Sequence, residues 1–214
     1  MATILVALGA NLGDRGETLD AAIDTLTADS DIRLVKRSEL LVTQPVGGPA
    51  GQPDFLNAAA KLTTNLSPSA IHQKLIEVEQ HYGRVRVQRW GARKLDLDLL
   101  LYDELILDTP QLTLPHPRMS FRRFVLEPAN EVAAEMRHPA LGTTVGELWG
   151  HLKMTSPTVQ LATLPGPAAW QLAQAVQREF PAEKIFVPPE PDRWPDSETA
   201  LPAWLAEQTR GAFR

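Results

Sequence analysis

Residues 95–101, written LDLDLLL, constrain this chain more than any other stretch. Strict alternation over such a run is the period of a β-strand, in which successive side chains point to opposite faces. It predicts Leu95, Leu97, Leu99 and Leu101 against a hydrophobic layer, with Asp96 and Asp98 together on the other face. Carboxylates two residues apart on a strand are about 7 Å apart at the backbone, so their oxygens can converge. The leucines need helices to bury them, and the order of helical and extended patterns along the chain predicts an α+β fold, an antiparallel sheet with helices on one side.

Two converging carboxylates repel each other, and a shared proton or a divalent metal relieves this. Hard oxygen donors in a chain with no Cys suit magnesium, which takes one or two protein carboxylates and completes its shell with phosphates and water. Just upstream, Arg84, Arg86, Arg89, Arg93 and Lys94 place five cations within eleven residues. Guanidinium groups grip phosphate oxygens bidentately. An exposed D-x-D and a solvated charge run would each be the ordinary reading alone. What favours a magnesium–nucleotide site is adjacency, because a segment holding Gly83 and Gly91 runs straight into a rigid strand.

The cations are local. The chain has 21 Lys and Arg against 26 Asp and Glu, a net charge of −5, which argues against a surface built for nucleic acid. No apolar run reaches the roughly 20 residues of a membrane helix. The start, MATILVALGANLGD, lacks a basic segment before its apolar stretch and reads as a strand, not a signal peptide. Without Cys there is no disulfide framework, and a reducing cytoplasm is expected.

Along the chain, residues 3–8 form a buried strand closed by Gly9, and residues 17–26 a helix with Leu19, Ala22, Ile23 and Leu26 on its stripe. Residues 32–42 read as one strand, with Ile32, Leu34, Leu40 and Val42 on one face. A loop over 43–53, with three Pro and three Gly, is either disordered or shaped to a ligand. Residues 55–63 are a strand carrying Phe55 and Asn57 on one face. Ser67 caps a helix begun by Pro68, with Ile71, Leu75, Val78 and Tyr82 on a stripe. Short strands around Thr109 and Pro110 lead to PHPRMSFRRF, where His116 lies between two prolines and so cannot be in a helix interior. Residues 126–136 and 144–152 are helices, the second opened by a capping box of Thr144 and Glu147.

RVRVQRWGARKLDLDLLL resembles the signature region of the 6-hydroxymethyl-7,8-dihydropterin pyrophosphokinases of folate biosynthesis. ALGANLGD near the start, the block from Thr43 to Ala58, and PHPRM followed by RRFVLEP are similar to that family too, in its order. The resemblance spans roughly residues 2–154. It implies a ferredoxin-like sheet, ATP as co-substrate, and two magnesium ions on Asp96 and Asp98. The dihydropterin would lie between Phe55 and Phe124, with Thr43, Pro45, Val46, Asn57 and Trp90 around it. ATP would meet Glu79, Arg84, Arg86, Arg89, Trp90, Arg93, His116 and Arg122. Arg84 and Arg93, with Asp98, are the expected catalytic groups. Many relatives carry Tyr where Pro117 follows His116 here.

Small molecules are the expected partners, with no nucleic acid and no membrane. A nucleotide-sugar transferase would need a longer nucleotide domain. A silent pterin- or nucleotide-binding module acting through its tail is the alternative from another class. The domain expected over 1–155 is followed by an extension, 156–214, that holds nine of 18 Pro and three of five Trp. This composition suggests docking, on the domain itself or across a dimer, so a monomer or a tail-mediated dimer is expected.

Overall fold

The computed structural model describes residues 1–45, 51–83 and 93–154. The extension expected over 156–214 lies outside them. Met1–Trp149 form one compact unit, and the chain from Gly150 onward belongs to a second. The elements are β1 (Ala2–Ala10), α1 (Arg15–Thr27), β2 (Ile32–Arg37), β3 (Leu41–Thr43), β4 (Phe55–Thr64), α2 (Pro68–His81) and β5 (Asp96–Tyr102). After them come β6 (Leu107–Asp108), β7 (Thr113–Leu114), α3 (Arg123–Ala133), β8 (Arg137–His138), β9 (Thr143–Thr144) and α4 (Val145–Met154).

The main sheet is antiparallel, in the order β2-β4-β1-β5, and β3 lies beside β2 on the same outer edge of β4. Up to β5 the chain runs β-α-β-β-β-α-β, with β2 and β3 sharing one edge of β4. The fold is α+β. One sheet face carries Ile4, Val6, Leu8, Ala10, Leu97 and Leu99, packed with Leu19, Ala22, Ile23 and Leu26 of α1 and Ile71, Leu75 and Val78 of α2. Fully burying each large side chain contributes roughly 1.5–3 kcal/mol, so this layer holds the sheet flat against its two helices. The caps follow the sequence. Asp14 accepts the Glu17 N–H at the start of α1, and Ser67 accepts the Ala70 N–H ahead of Pro68.

Four local expectations change. The first strand runs through Gly9 to Ala10, because β5 pairs with it as far as Gly9 and β4 as far as Ala10. Residues 32–42 are two strands. Ser38 breaks them, its hydroxyl accepting the Ala59 N–H while its own N–H donates to Ala59, and Leu34 and Val42, each on an edge strand, are exposed. Leu101 departs from the leucine face, because the register shifts between Leu5 and Val6 and pairs Leu101 with Leu5 on the opposite side. Lastly, α3 begins at Arg123, earlier than expected, and packs on β4 outside the α1–α2 layer, so helices cover both faces.

The β8–β9 hairpin holds a buried histidine. His138 Nδ1 accepts the Leu141 N–H at 3.3 Å, and burial pushes its pKa down from 6.5 to about 4. The unfolded chain therefore binds a proton that the folded one resists between those values. Stability is full above about pH 6.5 and falls as pH drops toward 4, by at most roughly 3 kcal/mol from this group. Urea melts of the wild type and of His138→Asn, which keeps an acceptor, should diverge over that window. Identical pH profiles for the two would exclude the histidine as the cause.

Candidate functional site

The sheet face opposite the α1–α2 layer is only partly covered. Register places Asp96 opposite Gly9, and Gly9 opposite Asn57, which in turn faces Leu41. The next row is Asp98, Ala7 and Ala59. Two carboxylates and an amide thus line one surface, with glycine and alanine between them. Neighbouring strands lie about 4.8 Å apart, so Asp96 and Asn57 are roughly 10 Å apart across β1.

At the Asn57 end, Nδ2 donates to Thr43 Oγ1 at 2.8 Å, which turns Oδ1 toward Gly9. Phe55 opens β4 opposite Thr43, half-buried. Phe124 lies in the first turn of α3, and the Arg122 guanidinium sits 5.5 Å from its ring centre. The structure therefore joins Thr43, Asn57 and Phe55 on adjacent strands, and gives Phe124 a cation on its face.

At the carboxylate end, Arg93 Nη1 donates to Asp96 Oδ2 at 2.6 Å, and His116 Nε2 lies 3.9 Å from Asp98 Oδ2. His116 Nδ1 accepts the Arg118 N–H, so the neutral ring carries its proton on the nitrogen facing Asp98. Burial pushes the His116 pKa down, opposed by Asp98 and aided by Arg122 and Arg118. The Arg122 guanidinium is lowered to about 10, by burial first and then by Arg118. A desolvated arginine beside a second one is costly, and Asp98 and Asp96 offset part of that cost. Asp96 and Asp98 are 24% and 37% exposed, open to a ligand.

Asn11 ties the two ends together, a role that sequence reading left unassigned. At 1% exposure, it accepts the Arg93 N–H on Oδ1 at 2.7 Å, donates its own N–H to the Arg93 carbonyl, and directs Nδ2 to Gln52 and the Pro53 carbonyl at 3.4 Å. The only signal in the sequence was a polar residue in a Gly-rich turn. Asn11→Ala should lower kcat/KM for both substrates about tenfold, because Arg93 loses its anchor. Steady-state kinetics checks this, and loss for one substrate alone would contradict the coupling.

Pro45 closes the described part of the loop after β3. Glu79 is buried in α2, and its Oε1 accepts the Leu97 N–H at 2.7 Å. Val46, Arg84, Arg86, Arg89 and Trp90 lie outside the described residues.

Paired carboxylates faced by arginines and a histidine, on an antiparallel sheet with helices on both faces, define a phosphate-handling α+β enzyme. The model of the family described as 7,8-dihydro-6-hydroxymethylpterin-pyrophosphokinase matches residues 5–134, and the chain belongs to that family. It is similar to a 2-amino-4-hydroxy-6-hydroxymethyldihydropteridine pyrophosphokinase of Pseudomonas aeruginosa, 45% identical over 64% of this chain and 83% of that one. The Haemophilus influenzae protein of that name is 42% identical over 65% and 86%. The Synechocystis one is 33% identical over 186 residues, 86% of this chain and 88% of its own. A match of that span enters the extension, so the likeness continues past residue 154. A solved HPPK-DHPS with substrates shares the fold at a TM-score of 0.55 and 11% identity, over 85% of this chain and 45% of that one. Plasmodium falciparum HPPK-DHPS gives 0.53 and 13%, over 70% and 41%. The chain spans less than half of those two structures.

Proposed function

We propose that this chain transfers pyrophosphate from ATP to the hydroxymethyl oxygen of 6-hydroxymethyl-7,8-dihydropterin, as its relatives' names describe. In the reaction that oxygen loses its proton and bonds to the β-phosphorus. The bond from the β-phosphorus to the oxygen bridging it to the α-phosphorus breaks, and AMP leaves with that oxygen. The observation that carries the reading is the row Asp96–Gly9–Asn57. It offers a recognition edge for a flat ring at one end and phosphate chemistry at the other, separated by about the length of the pterin with its arm.

Asp96 and Asp98 suit magnesium, being hard oxygen donors, open to ligand, on one face of a rigid strand. We assign two ions to them. Bound there, magnesium would neutralise phosphate charge and lower the pKa of the attacking hydroxyl. The protein's own part is positioning and charge. Asn57 and Thr43 read the ring edge, with Pro45 and Val46 on the flanking loop. Phe55 and Phe124 stack on the ring's two faces. His116 and Arg122 hold phosphates, with Arg86 and Arg89 on the nucleotide side. Arg93 leaves Asp96 for the transferring group, joined by Arg84, while Trp90 helps to exclude water. The setting we assign is cytoplasmic. Among the described residues no helix is long and apolar enough to cross a membrane.

Phosphorus-31 NMR of the full chain with ATP, magnesium and the dihydropterin tests the reading. AMP with a pterin diphosphate supports it, and ADP would place transfer at the γ-phosphorus and overturn it. The same assay on a chain ending near Ser156 shows whether the extension takes part in turnover.

A further inference from the structure

Glu79 interrupts a hydrophobic stripe. It shares the buried side of α2 with Ile71, Leu75 and Val78, and is 3% exposed. An apolar residue there would continue the stripe, whereas a buried carboxylate is costly unless hydrogen-bonded. Glu79 Oε1 accepts the backbone N–H of Leu97 at 2.7 Å, and Leu97 is the residue between Asp96 and Asp98. β5 is the end strand of the sheet, paired with β1 along one edge. The N–H that a further strand would have met is taken instead by this carboxylate. On the same edge the His116 N–H donates to the Leu100 carbonyl.

We infer that Glu79 is a positioning residue for the aspartate pair, acting through the β5 backbone and not by touching the nucleotide. On the inner edge, Gly9 and Ala7 set the register of Asp96 and Asp98. On the outer edge, the Leu97 N–H is clamped by a charged acceptor carried on a helix that is itself locked into the core. A charge-assisted bond of this kind is shorter and stronger than a neutral one. It fixes the strand at the residue whose two neighbours must converge on one ligand. Groups that orient metal-binding carboxylates typically change affinity or activity 10–100-fold when removed. The inference rests on the reading above, in which Asp96 and Asp98 hold the metal.

The test compares Glu79→Ala and Glu79→Gln with wild type in the full chain, below the melting temperature of each. Glu79→Ala should lower kcat about 10–100-fold and leave the KM for ATP within about threefold. It should speed hydrogen exchange at the Leu97 amide and weaken Mn²⁺ binding to the ATP complex, read by water-proton relaxation. Glu79→Gln, which keeps an acceptor, should recover most of the loss. A purely stabilising residue would lower the melting temperature without this split between kcat and KM. A rise in the KM for ATP as large as the fall in kcat would overturn the proposal in favour of direct contact with the nucleotide. So would unchanged exchange at Leu97. If the wild type itself released no AMP, the parent reading would fail, and the exchange and Mn²⁺ results would still decide whether Glu79 positions the pair.

Discussion

Replacing Asp98 with Ala should lower AMP formation by about a thousandfold or more while the chain stays folded. That corresponds to about 4 kcal/mol of lost transition-state stabilisation, the scale of one metal or oxyanion contact. The fold does not need this carboxylate. Its side chain is 37% exposed, its one described ion pair is at 3.9 Å, and its strand is held by the leucines behind it and by β1 beside it. The surroundings do need it, because Arg122 and Arg118 gather near it and it is the first-named carboxylate acting on both Arg122 and His116, ahead of Asp96. Metal-free ATP should therefore bind Asp98→Ala at least as tightly as wild type, since a negative charge has left a cationic pocket. The decisive comparison is between turnover, from the phosphorus-31 assay, and ATP affinity by calorimetry without metal. Turnover within tenfold of wild type would remove Asp98 from the chemistry. Falls of similar size in turnover and in metal-free ATP affinity would make it a binding group.

The two aspartates were legible because strand alternation is a local rule, and Leu95, Leu97 and Leu99 obey it. So were α1 and α2, whose stripes and caps lie within a few residues of one another. What escaped the sequence is what depends on distant partners. Leu101 leaves the leucine face because of an irregularity opposite Leu5, 96 residues away in the chain, and no pattern in LDLDLLL encodes it. Leu34 and Val42 are exposed because their strands form the sheet edge, a fact of strand order and not of periodicity. Asn11 looks like any polar turn residue until Arg93 is placed against it. Glu79 is placed beside ATP by resemblance alone, and its bond to the Leu97 N–H emerges only when β5 is laid over α2. The site is visible where one element carries it and hidden where two elements must meet.

Gly9 offers the sharpest separation between folding and function. It is not one of the left-handed glycines, which are Gly13, Gly51, Gly83 and Gly142 among the described residues. Its backbone is ordinary strand that alanine adopts readily, and alanine loses less freedom than glycine on folding. A Cβ built on it meets nothing closer than Asn57 Oδ1 at 3.4 Å, an ordinary contact. The folded protein should therefore accept Gly9→Ala with no loss of stability, and with a gain of up to about 1 kcal/mol. The ligand should not accept it. The new methyl stands between Asn57 and Asp96, on the floor over which the ring must lie to reach from one to the other. Lifting the ring moves the hydroxymethyl oxygen off line, and a displacement of about 1 Å costs on the order of a hundredfold in rate. We expect kcat/KM for the dihydropterin to fall about a hundredfold in Gly9→Ala and further in Gly9→Val, with ATP affinity unchanged. Thermal melts, ATP calorimetry and dihydropterin kinetics on the three proteins measure the three effects separately. Dihydropterin kinetics within threefold of wild type in Gly9→Ala would show that the ring does not cross β1 there, and the substrate orientation proposed above would have to be abandoned.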